Sequence, residues 1–329
     1  MHEAALSKGL PKRNKMIKPN KLEKGDTIGI VSISDPTPTP QSLSQDLKVL
    51  DDLGFRVVLG DFVYGFSRNP VEAINEKVAD FHKMLTAPQV KAIIFASGGA
   101  HAINILDQVD YSLVRRNPKI IVGFSDNTFL LLAIYVKTGL VTFYGPTAWY
   151  CLSHLSDFTF RYFKKILSIP KPLGPLKTRR KLKIIREGQV RGRLVGGNLR
   201  AIQSLIGTDF EPDWKGKILF WEEFNTPTIL LSEALNQMRL AGIFDQIAGM
   251  IVGVLPGCKE ADQREHFKLR EHFSLEEIIK FQTRGYSFPI VSNLDFGHGL
   301  NHYLTIPNGV EATIDTFCKS ITLDESAVK

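Results

Sequence analysis

Three short stretches of the chain carry residue types that together could hydrolyse an amide: GFSDNT (123–128), SGGAHA (97–102) and DFGHGLNH (295–302). In the first, an apolar strand runs into a helix through Ser125. A serine on such a turn is pushed outward, the amide of Asp126 points toward its oxygen, and the helix N-terminus adds a positive dipole that favours an oxyanion. Taken alone, the same six residues fit plain helix capping by Ser125 or Asp126 better, and Asn127 stands where a GxSxG turn has its second glycine. In the second stretch the paired Gly98 and Gly99 permit close backbone approach and leave an amide facing a ligand. Beside the Ser125 turn, that loop would bring a second amide to one oxyanion. Without GxGxxG or a Walker lysine it is a weaker nucleotide loop.

A serine nucleophile needs a base, and the base an orienting carboxylate. Of the eight histidines, His298 lies between two glycines directly after a strand, an arrangement that lets a ring project from a tight loop into a cleft. His302, in the same loop, and His101, in the glycine loop, are its rivals, and His101 is expected to line the site. His2 falls in the basic N-terminal segment, His82, His266 and His272 fall on helices, and His154 follows a poorly defined segment. For the carboxylate, Glu222 and Glu223 end the apolar strand KILFW. Alternation lets only one of them face a cleft, and a solvated pair is the plain alternative.

Strands at 27–33, 56–60, 91–97, 118–123 and 140–145 alternate with helices at 42–54, 71–86 and 128–139. Runs this apolar imply a parallel sheet covered on both faces, whose ligand chemistry gathers at the carboxyl ends of the strands, here the loops after Ile33, Ala96 and Gly123. The stretch 169–181 carries three prolines and dense positive charge and reads as a linker. Beyond it, strands at 182–186, 190–195, 217–223, 250–255, 289–294, 303–306 and 310–315, with helices at 199–206, 228–241 and 265–283, indicate a smaller mixed α/β domain. The organisation expected is a basic disordered tail (1–24), a nucleophile domain (25–168), the linker (169–181) and a domain with acid and base (182–329).

At 329 residues two ordinary domains are possible, and no apolar run reaches the ~18–20 residues of a membrane helix. The N-terminal segment lacks the apolar core of a signal peptide. Three scattered cysteines, Cys151, Cys258 and Cys318, suggest neither disulfides nor zinc and fit a reducing cytoplasm. The net charge of +7 is confined: the balance is +5 over residues 1–24 and +8 over 171–193, leaving −6 for the remainder. A tail and a connector of that kind are solvated segments, and no nucleic-acid or membrane partner is expected.

The ordered set KGDTIGIVSIS, SGG, PKIIVGFSDNT, KTGLVTFYGP, VGGNL, GKILFWEE and FGHG resembles the LD-carboxypeptidase family of serine peptidases, which includes the microcin C self-immunity peptidases, from about Lys21 to Asp315. The resemblance implies a Rossmann-like parallel-sheet N-terminal domain and a C-terminal domain, with a Ser125–His298–Glu222 triad assembled between them. It places the oxyanion amides on Gly99 and Asp126 and implies a homodimer without metal or cofactor, while Gly98, His101 and Trp221 are expected against the substrate. It further implies release of terminal D-alanine from murein tetrapeptides. Ser97 and Ala100 depart from the arginine and aromatic that many cell-wall enzymes of the family carry around the glycine pair. They lie closer to the microcin branch, which cleaves aminoacyl-nucleotide phosphoramidates and would need an aromatic platform such as Trp149, Tyr150 or Trp221. A non-catalytic peptide- or nucleotide-binding protein on the same sheet is the third reading.

Overall fold

The apolar runs of the first half pair in parallel because each connection is long enough to hold a helix laid back on the sheet. A computed structural model describes residues 15–149, 152–259 and 273–329. Strands β1 (Thr27–Val31), β2 (Arg56–Leu59), β3 (Val90–Phe95), β4 (Ile120–Gly123) and β5 (Thr142–Tyr144) alternate with α1 (Pro40–Asp52), α2 (Pro70–Thr86), α3 (Tyr111–Arg116) and α4 (Thr128–Thr138). Their order, 2-1-3-4-5, is that of a doubly wound sheet. β1 and β4 are buried along their whole length, whereas edge strand β2 alternates toward solvent. Helix starts follow local chemistry: Thr39 and Ser42 form a capping box ahead of Pro40, and Asn69 caps α2 ahead of Pro70.

The second half contributes α5 (Asp157–Ser168), β6 (Gly174–Pro175), β7 (Lys183–Arg186), β8 (Gln189–Asn198), α6 (Leu199–Leu205), β9 (Lys217–Glu222), α7 (Thr228–Leu240), β10 (Gly249–Val252), α8 (Leu275–Gln282), β11 (Ile290–Ser292), β12 (Ile306–Asn308), β13 (Glu311–Asp315) and β14 (Ser320–Leu323). All of these strands except β12 form an eight-stranded sheet in the order β6-β14-β13-β8-β9-β10-β11-β7. β8 to β11 run parallel at its centre, flanked by antiparallel pairs. This is the mixed α/β unit expected, although with eight strands it is not the smaller of the two.

Three further expectations are corrected. The strand expected near 303–306 lies at 306–308 and pairs antiparallel with β5, so the C-terminal half completes the first sheet. Residues 15–24 are not a loose tail: Ile17 bridges Leu140, Leu22 is buried, and the Lys21 amide donates to the Lys329 carbonyl at 2.9 Å. The 169–181 stretch is fastened at its middle, by β6 pairing with β14, and near its C-terminal end, by the Arg179 and Arg180 amides donating to buried Asp295. Of the charged helix expected at 265–283, residues 275–282 are helical; 265–272, with His266 and His272, lie outside the described residues, as do His2 and residues 1–14 of the tail. Among the described residues no helix is long and apolar enough to cross a membrane.

Candidate active site

At the end of β4 the chain turns through Ser125 with φ 58°, a left-handed conformation that costs a non-glycine residue on the order of 1–3 kcal/mol and persists only where its surroundings impose it. They do so here. The Ser125 amide donates to the Tyr144 hydroxyl at 3.2 Å, and the Thr128 hydroxyl donates to the Ser125 carbonyl at 2.7 Å. Buried Asn127 donates from Nδ2 to the carbonyls of Ser97 and Phe124, tying the turn to the glycine loop. Its branched amide does what a second glycine could not.

Neither Ser125 nor Asp126 caps α4. The cap position is Asn127, which makes no side-chain capping bond. The Asp126 carboxylate turns inward instead, where Oδ2 accepts from Ser34 Oγ (2.5 Å), the His101 amide (3.0 Å) and the Ala102 amide (2.7 Å). One carboxylate thus knots the loops after β1, β3 and β4, the three that the carboxyl-end rule singles out. Gly98 lies against Ser125: a Cβ there would be 3.2 Å from that of Ser125. Gly99 sits at φ +145° against Ser34 and Asp35, a conformation and a space that exclude a side chain. His101 lines the rim, with Nδ1 3.2 Å from Asp35 Oδ1.

His298 and Glu222 come from the second half. Gly297 and Gly299, at φ +118° and +69°, carry the backbone around His298. Its Nε2 lies 3.2 Å from Ser125 Oγ and its Nδ1 2.7 Å from Glu222 Oε2, which also accepts the His298 amide at 3.1 Å. The opposite oxygen, Oε1, accepts from the Tyr144 hydroxyl at 2.6 Å and Asn198 Nδ2 at 3.2 Å. Phe124 and Phe224 hold the imidazole between them, with ring centroids at 4.4 and 4.9 Å, and Phe224 is stacked nearly parallel. The rival His302 is engaged elsewhere, through Nδ1 to Ser156 Oγ and Nε2 to Arg179.

Glu223 and Trp221 depart from expectation. β9 ends at Glu222, so strict alternation does not govern Glu223, and both carboxylates are buried instead of solvated. Asn198 Nδ2 donates to both, and Glu223 also accepts the Arg200 and Phe224 amides. Trp221, expected against substrate, is fully buried between β8 and β10, and its Nε1 has no hydrogen-bond partner among the described residues. A ring with no exposed face cannot stack on a base. Of the other platform candidates, Trp149 is half-buried and Tyr150 lies outside the described residues.

Residues 28–145 match the LD-carboxypeptidase N-terminal domain and residues 191–314 the LD-carboxypeptidase C-terminal domain. This chain belongs to the LD-carboxypeptidase family. It is 32% identical to a probable murein peptide carboxypeptidase of Bacillus subtilis over 93% of this chain and 94% of that one. It is 29% identical to the microcin C7 self-immunity protein MccF of Escherichia coli, covering 92% and 94%. The structure of MccF in complex with glutamyl sulfamoyl guanosine superposes with a TM-score of 0.81 at 26% identity, over 95% of this chain and 99% of that chain.

Two side chains of this LD-carboxypeptidase-family site escaped the sequence reading, Tyr144 and Asn198. Tyr144 is fully buried, and burial, reinforced by the charge of Glu222, pushes its phenol well above the ordinary range, so it stays protonated and donates. A cavity of about 300 Å³ adjoins the His298 loop, with Arg180, Lys183, Pro256, Asn293 and Leu300 among its walls. Among the described residues no group of three or more His, Cys, Asp or Glu side chains could hold a metal ion.

Proposed function

We propose that this protein is a serine LD-carboxypeptidase that cleaves an amide through an acyl-enzyme, releasing terminal D-alanine from murein tetrapeptides. One observation carries the reading: Ser125 Oγ, His298 and Glu222, from segments 173 and 76 residues apart in sequence, lie in one hydrogen-bonded chain of 3.2 and 2.7 Å. With Glu222 accepting at Nδ1, the neutral imidazole carries its proton there and leaves Nε2 free to accept. As Ser125 Oγ attacks the carbonyl carbon, His298 takes its proton and Glu222 stabilises the imidazolium. The Gly99 and Asp126 amides receive the oxyanion, and neither donates to a protein acceptor among the described residues. Collapse breaks the C–N bond, and the imidazolium hands its proton to the departing amine. Water, deprotonated by the same imidazole, then hydrolyses the ester.

A second substrate reading keeps this chemistry and replaces the peptide with an aminoacyl-nucleotide phosphoramidate. It is favoured by the match to MccF over nearly the whole chain and by Ser97 and Ala100 flanking the glycine pair. Loss of Trp221 as a platform weighs against it. The decisive experiment assays the purified protein with a murein tetrapeptide and an aminoacyl-nucleotide phosphoramidate side by side, together with Ser125→Ala. D-alanine release that disappears in Ser125→Ala is expected. Undiminished release by that variant would refute the nucleophile, and preference for the phosphoramidate would refute the murein substrate.

A further inference from the structure

We infer that Tyr144 is a positioning residue for this reaction, one hydroxyl that holds both the backbone of the nucleophile and the carboxylate behind the base. The inference rests on the roles proposed for Ser125, His298 and Glu222. The phenol has a single proton, and the 2.6 Å contact to Glu222 Oε1 uses it, because a buried carboxylate can only accept. That leaves the oxygen's lone pairs, and the Ser125 amide donates to one of them at 3.2 Å. Two arms of donation therefore converge on Glu222, one from the Ser125 N–H through the Tyr144 O–H and the other from the Ser125 O–H through His298. The ring that carries the hydroxyl is fixed on several sides, with Phe124, Phe220 and Phe296 at centroid distances of 5.2, 6.1 and 6.4 Å.

This arrangement bears on the chemistry in two ways. The left-handed turn at Ser125 is anchored by an acceptor on β5, so the nucleophile's position depends on a group that touches neither its oxygen nor the substrate. In addition, donation to Oε1 stabilises the ionised carboxylate. Removing it raises the proton affinity of the His298–Glu222 pair as a unit, since the carboxylate bears its full charge when the pair is unprotonated. The other ionisable groups around the pair are Glu223, joined through Asn198, together with Tyr303 and Cys258. The bonds to Glu222 itself come from Tyr144, Asn198 and His298.

The test compares wild-type protein with Tyr144→Phe, which keeps the ring and removes the hydroxyl. By NMR, the titration midpoint of the His298 ring is expected to move to higher pH by about half a pH unit or more, and the acid limb of the kcat/KM profile to move with it. A buried N–H left without an acceptor corresponds to a fall in kcat of roughly 10- to 100-fold, with KM changed by less than about threefold. An unchanged His298 titration in folded Tyr144→Phe overturns the inference, as does a kcat loss matched by the fraction unfolded. Should that variant fail to fold, 3-fluorotyrosine at position 144 keeps the shape and strengthens the donor. The midpoint must then move to lower pH, and a fixed midpoint overturns the inference. The NMR readout needs no turnover. If Ser125→Ala proved active while Tyr144→Phe shifted His298, the nucleophile assignment would fall and the link from Tyr144 to Glu222 would stand.

Discussion

Replacing Glu222 by Gln removes a charge without changing shape, and the donors packed around the residue set the cost. All four groups around the carboxylate donate: the His298 ring at 2.7 Å, the His298 amide at 3.1 Å, the Tyr144 hydroxyl at 2.6 Å and Asn198 Nδ2 at 3.2 Å. Glutamine has one oxygen to offer. With two donors on the Oε2 side belonging to His298, that oxygen faces the imidazole, and the new NH2 is driven against Asn198 and Tyr144. The His298 tautomer survives, but an imidazolium formed during attack loses the hydrogen-bonded counter-charge that fully buried Glu222 supplies. In Ser–His–Asp enzymes the Asp→Asn change, which also imposes the wrong tautomer, lowers kcat about 10⁴-fold, close to 5.4 kcal/mol of barrier, and that figure is the upper bound here. A fall of roughly 10³- to 10⁴-fold in kcat is therefore expected for Glu222→Gln, with KM within a few fold.

The assay monitors D-alanine release from a murein tetrapeptide by a coupled D-amino-acid oxidase reaction, with far-UV circular dichroism reporting the fold. Glu223→Gln is the control. Glu223 shares Asn198 with Glu222, yet its other bonds go to the Arg200 and Phe224 amides, so a loss below about tenfold is expected, from one perturbed neutral bond. Activity of Glu222→Gln within about tenfold of wild type, or equal damage from the two substitutions, would refute the reasoning.

Two other outcomes can be checked on the same protein. Asp126→Ala leaves the Ser34 hydroxyl and the Ala102 amide without their acceptor, and the His101 amide with only Ser34 Oγ at 3.3 Å. At about 1–3 kcal/mol per unmet buried donor, kcat should drop roughly 100-fold and Tm should fall, and an unchanged kcat would mean that the glycine loop does not depend on this knot. At high pH, burial holds the phenol of Tyr135 up to about 12 and those of Tyr111, Tyr144 and Tyr162 up as well. The unfolded chain releases phenolic protons near pH 10 while the folded chain keeps them, so stability present below pH 10 is lost above it, by up to about 1.4 kcal/mol per pH unit per phenol. Lys119 acts oppositely: burial lowers its ammonium to about 8, so its contribution improves between about pH 8 and the ordinary lysine value near 10.4. Burial lowers the Lys77 ammonium too, but the two lysines are outweighed by the raised phenols, to which Tyr64 adds a fifth, and Tm by circular dichroism should hold to about pH 10 and then fall. A Tm that rose through pH 11 would contradict this balance.

How much of this was legible in the sequence depends on how local each signal is. Ser125, Glu222 and His298 each sit at a discontinuity visible in a few residues: a strand running into a helix, an apolar strand ending on acid, a histidine between two glycines. The parallel strands and their helices were legible for the same reason, since apolar β-branched runs and capping residues need no distant partner. Features made by long-range pairing were not. β12 is three residues long and finds β5 across more than 160 positions, and nothing in IPN announces it. Residues 15–24 look like a basic tail because their partners, Leu140 and Lys329, are far away in sequence.

Trp221 and Tyr144 show the same limit at the site, from opposite directions. Trp221 immediately precedes Glu222 on β9, so alternation aims its ring away from the carboxylate's side and into the core. That rule was available and outranks the appeal of an aromatic beside a catalytic candidate. Tyr144 looks like one more core aromatic in LVTFYG, yet its register was partly inferable. It ends β5, the strand next to β4, and pairs level with Gly123, two residues before the nucleophile. A polar tip at the carboxyl end of the neighbouring strand is placed to meet the turn. What no local pattern contains is Glu222 arriving from the other sheet to accept the phenol's hydrogen bond. The carboxyl-end rule for parallel sheets therefore extends here from loops to the last side chain of each strand, and Tyr144→Phe tests that extension directly.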